Sequence, residues 1–87
     1  MDDVESIQRR QAREAIESGR MPRKHPDWVC SGPGVGALCS VCGVPNQKAE
    51  TEFEVQFTGN TPPIPELHHV HPRCHAMWEL MRRMPKQ

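Results

Sequence analysis

The sequence has no tyrosine, only two phenylalanines and two tryptophans, and 36% hydrophobic residues in all. A chain of 87 residues with so few large apolar side chains has a thin core. Domains near this size bury only about 60–65% of the surface that their unfolded chains expose. Such a fold needs a staple, either disulfides or a metal. An excess of charge is missing too: 11 Lys and Arg balance 11 Asp and Glu, so no global field draws the chain to nucleic acid or to a membrane surface. No apolar run approaches the length of a membrane span. The N-terminal MDDVESIQRRQAREAIE opens on acids and lacks the apolar segment that directs secretion. These absences point to a cytoplasmic, reducing setting, where cysteines bind metal more often than they pair with each other. The staple is therefore expected to be zinc.

What is present divides one domain into three stretches. Residues 1–19 read as an N-terminal amphipathic helix. Asp2 and Asp3 suit its cap and Gly19 its stop. Val4, Ile7, Gln11, Ala15 and Ile16 form a narrow apolar stripe amid Arg9, Arg10, Arg13, Glu14 and Glu17. Such a helix is marginal alone and must lean on something, in this chain or another. Residues 20–38 hold three prolines and three glycines, so they are expected to form no regular element. Trp28, the one large apolar residue there, is expected to plug this loop onto the core, with an exposed binding role as the alternative.

Residues 39–87 are the expected metal-binding core. ALCSVCG (residues 37–43) carries a Cys-x-x-Cys pair followed by Gly43, and Val44-Pro45-Asn46 reads as a turn. EFEVQF (52–57) alternates, with Phe53, Val55 and Phe57 on one face and Glu52, Glu54 and Gln56 on the other, a half-buried strand. TGNTPPIP (58–65) reads as a loop and ELHHVH (66–71) as a second strand, completing a hairpin. Pro72 fits the first position of a helix. In that helix Cys74, Met77, Trp78 and Met81 share a face, widened by Leu80 and Met84. Core filling explains Met77 and Met81 more simply than a soft-metal site does.

A Cys-x-x-Cys turn supplies two ligands, and a structural zinc takes four. His71 and Cys74 stand at i and i+3 where the last helix starts, on one face and one turn apart. Cys39, Cys42, His71 and Cys74 are thus the expected ligands of one zinc ion. Knuckle, hairpin and helix follow in the order of a treble-clef zinc finger, an α+β fold here extended by an N-terminal helix. Cys30, in the flexible stretch, is the alternative to His71 as fourth ligand. His75 stands about 100° further round the helix. His68 and His69 fall on opposite faces of their strand. His69 shares its face with His71, within reach of the site, though a surface place suits it better. His25 is expected in solvent. Three thiolates, an imidazole and Zn²⁺ carry about −1 in sum, which Arg73 and His75 are placed to screen. Four protein ligands leave no position for water, so the centre is expected to be structural and not catalytic.

The run SGPGVGALCSVCGVPN, the acidic strand and HPRCHAMW resemble a family of small uncharacterised bacterial proteins with the pattern Gly-Pro-Gly-x-Gly-x-x-Cys-x-x-Cys-Gly, then His-x-x-Cys-x-x-x-Trp. The match covers residues 28–78, with Gly32, Pro33, Gly34, Gly36, Cys39, Cys42, Gly43, His71, Cys74 and Trp78 on it. Asn46 stands where an apolar residue is usual, and Cys30 where cysteine is not. The resemblance implies a zinc-binding fold and little about activity.

Three functional readings follow. A non-catalytic zinc module binds a protein partner, or a second copy through the N-terminal helix. A transcriptional regulator touches DNA or RNA polymerase, leaning on Arg9, Arg10 and Arg13 or on Arg82, Arg83 and Lys86; zero net charge weakens the phosphate term. An enzyme would be a nuclease or a thiol oxidoreductase. The His-rich strand lacks the Asn and later His that a nuclease metal needs, since Asn46 and Asn60 lie upstream. The Cys pair lacks a βαβ setting.

Overall fold

The structure, a computed structural model, describes residues 4–58 and 66–84. The Asp2 and Asp3 cap, Lys86 and residues 59–65 of the expected loop lie outside the described residues. The described elements are two helices and three strands: α1 (Val4–Glu17), β1 (Trp28–Pro33), β2 (Thr51–Phe57), β3 (Glu66–Val70) and α2 (Pro72–Arg83). The strands form one antiparallel sheet in the order β1-β2-β3, an α+β arrangement. Among the described residues no helix is long and apolar enough to cross a membrane.

The inner face of the sheet follows from alternation. Val55 and Phe57 of β2 and Val70 of β3 are buried, and Phe53 is partly so. Against them lies α2, whose Cys74, Trp78 and Met81 are buried at helical spacing. Trp78 meets Phe57 edge to face at 5.8 Å, and its indole N–H donates to the Pro22 carbonyl at 2.8 Å. Leu80 and Met84 do not widen this face; both are exposed, because the core ends at the row formed by Cys74, Trp78 and Met81.

α1 packs against α2. Its buried residues are Ala12 and Ala15, small side chains that let another element approach closely. The expected stripe is therefore displaced: Ile16 is only partly buried, while Val4 and Ile7 at the N-terminal end are exposed. Gly19, at φ +85°, ends the helix as expected. Beyond it, Met21 drops into the core at 1% exposure.

Residues 20–38 depart from expectation. They contain β1, paired with β2 from Trp28↔Gln56 to Pro33↔Thr51. The prolines and glycines do not forbid it, because β1 is an edge strand with Pro33 as its last residue, where a missing N–H costs little. Trp28 is no plug: it is 50% exposed, and Met21 takes that role.

Residues 34–37 then fold over the far face of β2. The Gly34 N–H donates to the Glu50 carbonyl at 2.8 Å and the Gly36 N–H to the Asn46 carbonyl at 2.7 Å. The Ala37 carbonyl accepts both the backbone and the side-chain N–H of Asn46. Asn46 is wholly buried, and its side-chain N–H is satisfied by the Ala37 carbonyl. This cover also buries Glu52 at 1% exposure, although alternation placed it toward solvent. At Gly34 the approach is so close that a Cβ would overlap the Gln47 carbonyl and lie 2.7 Å from the Asn46 oxygen. Gly34→Ala is expected to cost about 1–3 kcal/mol. It would be read as a lower urea midpoint at unchanged slope; an unchanged midpoint would show that the loop can lift away freely.

Candidate metal centre

The knuckle is shaped by its own backbone. Leu38 and Pro45 form a bridge, the Cys39 N–H donates to the Val44 carbonyl at 3.0 Å, and the Gly43 N–H donates to the Cys39 carbonyl at 2.9 Å. Gly43 takes φ +79°, a conformation that glycine adopts without a Cβ penalty. The Val41 N–H points at the Cys39 sulfur, 3.4 Å away. β3 holds this turn in place: the Ser40 N–H donates to the His69 carbonyl at 3.0 Å, and His68 Nδ1 lies 2.8 Å from the Ser40 hydroxyl.

His71 follows β3 at φ −68°, ψ 152° and is the N-cap residue of α2. Pro72 then starts the helix as expected, and Cys74 sits in its first turn. His71 Nδ1 lies 3.4 Å from the Cys42 sulfur and 3.8 Å from the Cys74 sulfur. Its Nε2 lies 3.3 Å from the Pro45 carbonyl. A proton on Nε2 donates there and leaves Nδ1 free to bind a metal, the usual way in which a ligand imidazole is oriented.

The ligand atoms of Cys39, Cys42, His71 and Cys74 all lie within 4.8 Å of one another, and the four could hold a metal ion. A tetrahedron with bonds of about 2.3 Å has edges of about 3.8 Å, close to the separations from His71. The pairing of a mid-chain turn with the start of the last helix is thus present. Cys39 and Cys74 are buried, while Cys42 and His71 are half-buried. The latter two face a cleft of about 490 Å³ that is also lined by Gln8, Gln11 and Arg73.

The electrostatics fit a cation. Cys39 is pulled down to about 4, first by the hydrogen bond from the Cys74 thiol. Cys74 is pushed far up, first by donating that bond and then by burial. Cys42 is pushed up by burial and by the Cys39 charge. Three sulfurs this close keep two protons among them unless a positive ion takes the protons' place.

The other candidates separate cleanly. Cys30 is exposed on β1 and outside this cluster. His25 is exposed, with Nδ1 2.7 Å from the Pro26 carbonyl. His69 turns to Glu52, 2.6 Å away, and joins a different group. His75 packs against Phe53 with ring centroids 4.8 Å apart, and burial lowers its pKa. That burial works against the positive charge that screening the cluster would need. The cation at the knuckle is one that sequence reasoning missed: Arg20, whose guanidinium donates to the Ser40 and Val41 carbonyls at 3.4 Å. His68 was missed as well, since its contact with Ser40 spans 28 positions and leaves no local mark.

Comparison of the chain with protein-family models, curated proteins and solved structures gave no match.

Proposed function

We propose that the chain is a non-catalytic zinc-binding module of treble-clef type, with one Zn²⁺ held by Cys39, Cys42, His71 and Cys74, acting as a protein-interaction or regulatory module. The convergence of those four donors within 4.8 Å carries this reading. Zinc suits it because sulfur-rich tetrahedral sets with one imidazole are those of structural zinc. The order of knuckle, paired strands and helix supports the treble clef, as does the resemblance to the small bacterial family. A full set of four protein ligands leaves the metal no open position, so the centre stabilises the fold and catalyses nothing. A reducing compartment such as the cytoplasm keeps the thiols available.

Val4 and Ile7, exposed beyond the part of α1 packed on α2, support α1 as the docking surface for a partner. A protein or a second copy fits that end better than nucleic acid. Three of the six basic side chains that a phosphate backbone would engage are already paired: Arg82 and Arg83 with Glu79, and Arg9 with Glu5.

Native mass spectrometry of protein loaded with one equivalent of metal should find one tightly held zinc per chain and report any self-association in the same spectrum. A thiol reagent should then modify Cys30 alone, and reach Cys39, Cys42 and Cys74 only after a chelator is added. Four thiols reacting at once before chelation would overturn the reading.

A further inference from the structure

The outer face of the sheet carries a second convergence of donors. Register sets Glu54 across from Cys30 of β1 on one side and His69 of β3 on the other, so these three form one row on one face. Glu52, two residues before Glu54 on the same strand, shares that face. The ligand atoms of Glu52, Glu54 and His69 all lie within 4.8 Å of one another.

Two features set this group apart from an ordinary acidic surface. The Glu52 side chain is only 2% exposed, sealed in by residues 34–37 with the Val35 N–H 3.4 Å from its Oε1. Moreover, among the described residues no Lys or Arg pairs with Glu52 or Glu54; the His69 ring, 2.6 Å from Glu52 Oε2, is the one ion-pair partner of either. Two carboxylates held this close raise each other's energy, and one of them is out of water. A divalent cation relieves both costs.

We propose that Glu52, Glu54 and His69 form a second metal site, open on its solvent side, for a first-row divalent ion of the Zn²⁺ class. Two carboxylates and an imidazole suit such an ion, and three protein ligands leave coordination positions for water or an external ligand. The ion replaces the hydrogen bond between Glu52 and His69 and ties β2 to β3 on the face away from the core. The site shares no ligand with the Cys and His centre and does not rest on the function proposed above.

The test adds further Zn²⁺ to chains already holding one zinc at the Cys39 centre, followed by calorimetry and native mass spectrometry. A second, weaker equivalent is expected. Glu54→Gln should weaken it at least tenfold with the first zinc and the melting temperature unchanged, and His69→Asn should abolish it with the first zinc retained. Cys30→Ser should retain it. The proposal is overturned if no second equivalent binds. It is overturned equally if binding survives both Glu54→Gln and His69→Asn, or if it disappears with Cys30→Ser, which would assign the ion to the exposed thiol.

Discussion

Cys42→Ser is expected to abolish metal binding and, with it, the cooperative thermal transition; a chelator should do the same to the unaltered protein. Cys42 is half-buried and serine is smaller, so the substitution removes a ligand without crowding its neighbours. The remaining donors cannot close a tetrahedron. Their convergence then becomes a liability, because the Cys39 thiolate stays buried beside Cys74 without a cation. Structural zinc in small finger peptides contributes an apparent binding free energy of about 10–16 kcal/mol, whereas whole domains are stable by only about 5–15 kcal/mol. Removing the metal therefore outweighs everything else that holds β3 and α2 together. Circular dichroism melts with and without chelator give the readout, and Cys30→Ser is the control that should leave the melt unchanged. A melt of Cys42→Ser within a few degrees of the parent would mean that the hydrophobic core alone organises this fold.

The convergence of Cys39, Cys42, His71 and Cys74 was legible in the sequence because chelating pairs leave a local signature. A tight turn needs Cys39 and Cys42 close in sequence, and a helix start needs His71 and Cys74 one turn apart. The last helix was legible for the same reason, since the spacing of Cys74, Trp78 and Met81 reports one buried stripe. β1 was not. WVCSGP has no alternation to mark it, and all of its residues but Gly32 are exposed; what makes it a strand is the open edge of β2, a partner 18 to 28 positions away. The place of Glu52 was half legible. Alternation put it correctly on the outer face, but residues 34–37 close over that face, so the outside of the sheet is not solvent there. Hydrogen bonds from Gly34 and Gly36 to distant carbonyls create that cover, and no periodicity encodes them.

The second large effect is expected at Trp78, where the strands, α2 and the segment after α1 meet. The side chain is wholly buried, stands edge-on to Phe57, lies beneath the Arg82 guanidinium at 5.3 Å and donates to Pro22 at 2.8 Å. Trp78→Ala removes the largest volume from a core that has few aromatic rings, at a cost of about 3–5 kcal/mol. In a domain of this size each kcal/mol moves the melting temperature by about 4–8 °C, so a fall on the order of 20 °C is expected. Trp78→Phe separates packing from the polar contact: it keeps a ring against Phe57, loses the bond to Pro22 and should cost about 1–2 kcal/mol. Both variants should be compared with zinc bound, since Cys74 lies one helical turn before Trp78 and the metal holds that turn independently. If Trp78→Ala melts within about 5 °C of the parent at saturating zinc, the clamp alone holds α2 in place. The large expected fall would instead make the thin core and the metal joint supports of α2.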